Sequence, residues 1–154
     1  MIQRIQTAYL LLATVLSALF LSGNIARFKD ASGDLYNLTA RGLMKIPTEL
    51  NTGQLAILWP LILLTLLIAV ISFASIFLYK NRKLQLKLTS GILIIAIFQV
   101  IVFAICSVLV MKEYDVSIVP GIKMILPVLV VICMFLAYRG IRKDENLVRS
   151  YDRL

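Results

Sequence analysis

Few side chains in this sequence could do covalent or acid–base chemistry. Cys106 and Cys133 are the two cysteines, and histidine, the commonest general base and metal ligand, is absent. Lys45 and Glu49 are four residues apart and could form an acid–base pair, but no nucleophile lies beside either of them. The sequence contains no glycine-rich phosphate loop, nucleophile elbow or HExxH pattern. We therefore expect a protein that is not an enzyme and that holds neither a cofactor nor a metal.

Polar side chains inside the apolar parts of the sequence could instead join helices or bind a ligand. Gln99 is the largest of them, and scattered serine and threonine residues such as Thr65 accompany it. In a membrane such groups hydrogen-bond between helices, and each contributes about 0.5–2 kcal/mol. A substrate ligand is the alternative role for Gln99, with Pro60 and Pro127 bending neighbouring helices to shape a groove. We favour the helix-joining role.

The elements that must position these side chains are four apolar segments. They share the length and composition of a membrane-spanning helix, and they cover residues 5–23, 55–79, 88–110 and 121–138. About twenty apolar residues suffice to cross a bilayer as a helix. Lys123 lies near the end of the last segment, where its ammonium group can reach the head groups. The sequence predicts an all-α membrane protein, an antiparallel four-helix transmembrane bundle, that forms a single membrane domain over residues 1–154.

The first apolar segment has an alternative interpretation as a signal peptide. Arg4 precedes its apolar core, and the small residues Ser22 and Gly23 follow it. No clean A-x-A cleavage site follows, however, and we therefore expect an uncleaved membrane anchor.

Basic residues predict the orientation of the bundle. The loop 80–87 contains no acid but four cations, Lys80, Arg82, Lys83 and Lys87. Short basic loops stay on the cytoplasmic side, so both termini are expected in the cytoplasm and the loops 24–54 and 111–120 outside. The net charge is +8, which is also compatible with nucleic-acid binding. We expect no nucleic-acid partner, because the cations lie in short pieces beside the apolar segments, where anionic lipid head groups explain them.

The long outer loop carries a strand pattern. Residues 25–30 and 35–40 flank the turn formers Ser32, Gly33 and Asp34, which predicts a β-hairpin. A two-stranded hairpin alone is marginally stable in water, and residues 114–119 of the second outer loop could add a third strand. The alternative is an irregular loop that lies on the head groups.

The tail, residues 139–154, has the pattern of an amphipathic cytoplasmic helix. Its apolar side chains gather on one arc, Asp144 alone intrudes on that arc, and Gly140 permits a bend after the last span. Such a helix would lie along the membrane surface, either as an anchor that fixes topology or as a docking helix for a partner. Together with the four cations of the inner loop, the basic side chains of the tail are our candidate contacts for lipids or a partner: Arg142, Lys143, Arg149 and Arg153.

Three stretches carry a resemblance to a known family. They are MIQRIQTAYLLLA (1–13), FLYKNRKLQLKL (77–88) and YRGIRKDENLVRSYDRL (138–154), and the run from Lys143 to Leu154 is the most specific. The chain resembles an uncharacterised family of small four-helix inner-membrane proteins of Bacteroidota. The resemblance implies a bacterial cytoplasmic membrane with both termini inside. It implies no activity and no site residues.

The sequence therefore predicts a non-enzymatic integral membrane protein, an accessory or scaffold subunit of a larger bacterial envelope complex. Its expected partners are anionic lipid head groups at the cytoplasmic face and either a protein partner or a second copy of itself within the membrane. The alternative is a small transporter or a lipid- or quinone-binding protein, which requires a continuous cavity near Gln99, Pro60 and Pro127.

Overall fold

The computed structural model describes residues 3–40, 42–46, 51–53 and 58–151. Within them, the helices are α1 (Gln3–Leu21), α2 (Leu58–Phe77), α3 (Arg82–Tyr114) and α4 (Leu126–Tyr151). The strands are β1 (Asn24–Asp30), β2 (Leu35–Thr39), β3 (Gly42–Ile46), β4 (Asn51–Gly53) and β5 (Val116–Val119). Short 3₁₀ turns at Leu78–Lys80 and Ile122–Ile125 join α2 to α3 and β5 to α4.

The four helices pack side by side. Helix α1 packs against α2 and α4, and helix α3 packs against the same two helices. Buried positions alternate at spacings of three and four residues, as in α1 with Gln6, Leu10, Ala13, Ser17 and Phe20. This average period of 3.5 residues lets helices pack at a small crossing angle along a continuous inward stripe. Each helix therefore has one face that packs inward and one that faces outward.

The outward faces of the helices are apolar, unlike those of a protein in water, and polar side chains accompany the apolar ones on the inward faces. Large apolar side chains point outward on every helix, for example Leu12, Leu63, Ile94 and Phe135. The inward positions include many polar side chains: Gln6, Ser17, Thr65, Ser72, Ser75, Gln85, Thr89, Gln99, Ser107, Asp144 and Glu145. An apolar outer surface with small and polar groups between the helices suits hydrocarbon surroundings.

Three stretches of the described chain are long and apolar enough to cross a membrane, by length and composition: Leu58–Phe77, Arg82–Tyr114 and Ile122–Val148. The apolar part of α1, Ile5–Leu21, is shorter. The sequence predicts four spans, and the structure supports three of them by this criterion. Helix α1 as a whole has 19 residues, which corresponds to roughly 28 Å and is close to the thickness of a hydrocarbon core.

The predicted hairpin is confirmed. Strands β1 and β2 pair antiparallel, with Phe28 opposite Tyr36. Gly33 adopts a φ of +93° in the turn between them, a conformation that glycine reaches without strain. The predicted third strand is also present, because β5 pairs antiparallel with the other edge of β1. The sheet extends further than predicted, in the order β4-β3-β2-β1-β5.

The sheet is fixed to the helix ends by a shared apolar core. Strand residues and helix residues bury each other there, including Ile25, Phe28, Leu38, Leu43, Phe20, Leu58, Phe103 and Val110. The rings of Phe20 and Phe103 pack edge to face with centroids 5.6 Å apart, a favoured aromatic geometry. At the rim, the Lys123 amine donates to the carbonyl oxygen of Ser22, just after α1. The sheet is thus part of the same folded unit as the helices.

The opposite, sheet-distal end of the helices differs from the prediction in two ways. Asn81 caps α3, since its side-chain oxygen accepts from the Leu84 N–H at 3.3 Å. Helix α3 therefore begins at Arg82, and residues 82–87 of the predicted inner loop are helical. The second difference concerns the tail, because α4 continues through Gly140 to Tyr151 without a break.

The tail is therefore not a separate helix along a surface, and the amphipathic interpretation of it is not confirmed. Leu147 and Val148 of the expected apolar face are exposed. Ile141 of the same face is buried, together with Asp144 and Glu145. The physical reason is that α4 extends the packing against α1, so its inward stripe passes through Asp144, the charge that interrupts the apolar arc.

Candidate functional site

A cavity of about 400 Å³ opens at the sheet-distal end of the helices. All four helices contribute to it. Its lining consists of Gln6 and Thr7 of α1, Ile76 and Phe77 of α2, Tyr79 of the 3₁₀ turn, Arg82 and Gln85 of α3, and Ile141 and Asp144 of α4. We refer to it as the sheet-distal cavity. Its volume lies in the lower part of the range typical of small-molecule sites.

A carboxylate lies in the wall of this cavity. Asp144 is only 8 % exposed, and its Oδ2 accepts a hydrogen bond of 2.8 Å from Gln6 Nε2 across the α1–α4 contact. A neutral amide compensates only part of the cost of removing a carboxylate from water. Ionised side chains placed inside helix bundles are expensive, and they commonly mark functional sites. Asp144 is therefore the residue of the cavity that most clearly indicates a functional site.

Gly140 sets the position of Gln6. A Cβ atom added to Gly140 would lie 2.8 Å from Gln6 Cγ, which is closer than two non-bonded carbon atoms approach each other in proteins. Glycine at this position lets α1 and α4 approach until the Gln6 amide reaches Asp144. The sequence predicts that Gly140 permits a bend, whereas in the structure Gly140 allows two helices to pack closely.

The opposite wall is polar as well. Arg82 is half-buried in the first turn of α3 and lines the cavity. Gln85 Nε2 donates to the carbonyl oxygen of Ser75 at 3.0 Å, which fixes the beginning of α3 to the end of α2. The carbonyl oxygen of Gln85 accepts from Thr89 Oγ1 at 2.8 Å. A guanidinium group and a carboxylate therefore belong to the same cavity, on α3 and α4.

The remaining wall is apolar and open to the surroundings. Ile76 is half-buried and Ile141 is buried. Phe77 is 66 % exposed, and Tyr79 is exposed beside it. Phe77 also packs edge to face on Phe73, with ring centroids 5.2 Å apart. The cavity thus joins charged groups at its end to an apolar, aromatic flank along the outside of α2. Such a lining suits a ligand with one charged and one apolar part.

Of the predicted contact residues, one lines the cavity and others surround the same end of the helices. Arg82 lines the sheet-distal cavity. Lys83, Lys87, Arg142 and Lys143 have exposed side chains around the same end. Lys80 lies in the 3₁₀ turn and Arg149 in α4, and their side chains fall outside the described part of the structure, as does Arg153 altogether.

Three cavity residues, Gln6, Gln85 and Asp144, were not among the predicted contacts. The intrusion of Asp144 on an apolar arc was the signal that could have found them, because a charge on the inward face of a helix requires a partner. Of the two residues considered for acid–base chemistry, Glu49 lies outside the described residues and Lys45 lies in β3.

Gln99 hydrogen-bonds between helices, as the preferred interpretation expected. Its Nε2 donates to Thr65 Oγ1 at 2.7 Å, which joins α3 to α2. Thr65 in turn donates to the carbonyl oxygen of Leu61 at 2.7 Å. Gln99 Oε1 and Ser17 Oγ are buried without a hydrogen-bond partner in the described structure. A chain of neighbouring donors and acceptors at this level is typical of polar layers that align membrane helices.

Cys106 is buried in α3 and Cys133 is buried in α4. Among the described residues, no three histidine, cysteine, aspartate or glutamate side chains lie together in a way that could hold a metal ion.

Comparison with known proteins gives one match. The model of a family described as "Domain of unknown function (DUF4293)" matches residues 2–154, nearly the whole chain. No curated protein and no solved structure matches the chain.

Proposed function

Because the chain belongs to the DUF4293 family, whose function is unknown, we propose a role from its own residues: a non-enzymatic integral membrane protein with four spans, acting as an accessory subunit of a bacterial envelope complex. The membership agrees with the resemblance to an uncharacterised family. The remaining parts of the proposal are supported by separate observations on the helices, the cations and the sheet.

The apolar outward faces of the helices support the membrane location. Ile94, at the middle of α3, is 69 % exposed, whereas Gln99 on the inward face of the same helix is 1 % exposed. Each large apolar side chain gains about 1.5–3 kcal/mol when it leaves water. The outward faces of all four helices carry such side chains. A bilayer would cover this entire surface, whereas a soluble partner would have to surround the helices on every side.

Packing supports α1 as the fourth span. Leu10 and Ala13 of α1 share one buried apolar cluster with Ile68 of α2 and Met134 of α4. Helix α1 therefore cannot stay outside the membrane while α2 and α4 cross it, unless this cluster is broken. Its 19 residues reach the lower end of the length that a span requires.

The distribution of cations supports an orientation with the sheet outside. Lys83, Lys87, Arg142 and Lys143 are exposed around the sheet-distal end. Basic residues close to the ends of spans are retained on the cytoplasmic side. Both termini would then be cytoplasmic in the bacterial inner membrane, where these cations contact anionic head groups.

Cysteine labelling tests the location and the orientation together. In a background with Cys106→Ala and Cys133→Ala, we expect Ser32→Cys, at the hairpin turn, to react with a membrane-impermeant maleimide in intact cells. Lys83→Cys should react only after permeabilisation. Both positions have exposed side chains, so access differs only through the membrane. Labelling of residue 83 in intact cells would overturn the orientation, and recovery of the protein without detergent would overturn the membrane location.

The accessory role is supported by the outer sheet. Strand β5 is an end strand of that sheet, and an end strand offers backbone groups that can pair with an extended segment of another chain. The shared core fixes this strand to the helices, so a partner would find a preformed edge. Since the sequence offers no histidine and both thiols are buried in helices, we propose binding rather than catalysis.

Site-specific photo-cross-linking tests this role. A photo-reactive amino acid at Ser117, on β5, should form a stoichiometric cross-link to one partner in intact cells. The same amino acid at Ser32, equally exposed at the hairpin turn, is the matched control and should cross-link weakly. A protein that purifies in mild detergent as a strict monomer and gives no cross-link from Ser117 would contradict the accessory role.

The transporter alternative is not favoured. It required a cavity around Gln99, Pro60 and Pro127. Pro60 lies in the first turn of α2 and Pro127 in the first turn of α4. Proline is common in the first turn of a helix and does not by itself indicate a kink there. The Gln99 amide is engaged with Thr65, and the sheet-distal cavity lies at one end of the helices instead.

A further inference from the structure

We propose that the sheet-distal cavity binds the head group of a phospholipid with a primary amine, of the phosphatidylethanolamine class. Its ammonium group lies at Asp144 and its phosphate at Arg82. This inference rests on the proposed membrane location, which places the cavity at the level of the cytoplasmic head groups. It names a specific ligand, whereas the sequence predicts general contacts with anionic lipids or, in the alternative, a lipid-binding cavity near Gln99.

The buried carboxylate selects the amine. Asp144 lines the cavity and receives a hydrogen bond from the neutral Gln6 amide. A carboxylate at this depth is stabilised by a cation that also donates hydrogen bonds. A primary ammonium group satisfies both conditions. A choline head group carries the charge but has no N–H donor, and phosphatidylglycerol has no cation to place at Asp144.

The guanidinium group selects the phosphate. Arg82 lines the same cavity from the beginning of α3, and arginine binds phosphate oxygens with paired donors. Its backbone lies in the first helical turn after Asn81, where free N–H groups and the helix dipole also favour an anion. In an ethanolamine phospholipid, two carbon atoms separate the ammonium nitrogen from the phosphate ester oxygen. The lipid therefore presents opposite charges close together, and Arg82 of α3 and Asp144 of α4 line the same cavity.

The apolar flank selects a lipid over a free head group. Ile76 and Phe77, at the end of α2, form an apolar part of the lining. Phe77 is largely exposed, and an acyl chain running along α2 would cover it and the neighbouring Phe73. A water-soluble phosphoamine would satisfy the charged groups and leave this flank uncovered.

Native mass spectrometry of the full-length protein in detergent micelles tests the proposal. The protein is titrated with phosphatidylethanolamine, phosphatidylcholine and phosphatidylglycerol of identical acyl chains, and the bound lipids are counted. We expect one phosphatidylethanolamine, bound about tenfold more tightly than phosphatidylcholine, which corresponds to one hydrogen-bonded charge interaction. Equal binding of the ethanolamine and choline lipids, or preferred binding of phosphatidylglycerol, would overturn the proposal.

Variants assign the two charges. Asp144→Asn should abolish the preference for the ethanolamine lipid over the choline lipid, and Asp144→Glu should keep most of it. Arg82→Gln should weaken all three lipids several-fold, because each carries a phosphate. Lys112→Gln is the matched control, since Lys112 is an exposed cation in the last turn of the same helix, at the sheet end, and it should leave the selectivity unchanged. An unchanged preference in Asp144→Asn would overturn the proposal. Should that variant fail to fold, the selectivity of the wild type and of Asp144→Glu decides.

Two further measurements separate the possible failures. Glycerophosphoethanolamine, the same head group without acyl chains, should not compete at concentrations where the lipid saturates the site. Effective competition by it would show a site for a soluble phosphoamine and would overturn the lipid proposal alone. The membrane location fails independently, through recovery of the protein in the soluble fraction of lysed cells.

Discussion

Replacement of Gly140 by alanine should destabilise this protein, although alanine normally favours helices. Alanine in place of glycine within a helix stabilises by about 1 kcal/mol. At position 140, however, the new methyl group would lie 2.8 Å from Gln6 Cγ and 3.3 Å from Gln6 Nε2. Gln6 must then move away and give up its hydrogen bond to Asp144. The loss of a hydrogen bond to a buried charged group costs about 1.5–3 kcal/mol, which leaves a net destabilisation of about 0.5–2 kcal/mol.

The assay is the free energy of unfolding in mild-detergent micelles, followed by circular dichroism during titration with a denaturing detergent. Gly91→Ala in α3 is the matched control, because a methyl group there meets no atom within 4 Å. It should therefore raise the free energy of unfolding, by up to about 1 kcal/mol. The two substitutions are chemically identical and are expected to have opposite signs.

A double-mutant cycle identifies the cause. In a Gln6→Ala background the obstructing side chain is absent, so Gly140→Ala should become stabilising. If Gly140→Ala stabilises the wild type as much as Gly91→Ala does, the close approach of α1 and α4 is not as described. If it destabilises equally with and without Gln6, the cost arises elsewhere than at the Gln6–Asp144 contact.

Three other contacts are tested by substitution in the same unfolding assay. Thr65→Val removes the acceptor of the Gln99 amide and should cost about 1 kcal/mol, whereas Thr65→Ser should cost less. Asn81→Ala removes the cap of α3 and should cost about 1 kcal/mol; Asn81→Asp keeps the cap, and an equal loss in both variants would contradict it. Phe20→Ala opens the core shared by sheet and helices and should cost about 3–5 kcal/mol, while the exposed Phe73 should tolerate alanine with little loss.

The elements that local patterns specify were predictable. Turn formers between short strand-like runs gave the hairpin, and Val116–Val119 joined it as the third strand. Strands β3 and β4 were missed, because GLMKI and NTG have no alternation of their own and become strands only through pairing, β3 with β2 and β4 with β3. The capping of α3 by Asn81 was missed in the same way, since a basic octapeptide suggested a loop.

The interpretation of the tail as a separate surface helix is not confirmed, for a different reason. The sequence predicts that its apolar arc lies on the membrane surface, but an amphipathic pattern does not show which face of a helix packs against another helix. In this protein the interior contains many polar groups, and the outer faces are apolar. The inward face of the tail was accordingly the one with Asp144, and Leu147 and Val148 lie outside. The cavity could not be predicted, because it depends on the approach of α1 to α4 at Gly140.

The pairing of β5 with β1 has a consequence for biosynthesis. Ser117 donates to the carbonyl oxygen of Lys29 across 88 residues of chain, and α2 and α3 lie between these two positions. At a translation rate of about 5–20 residues per second, β1 leaves the ribosome roughly 4–18 s before its neighbour. During that interval the hairpin has been made but one border of β1 is uncovered. The newly made sheet is therefore most prone to misassembly before β5 has been synthesised.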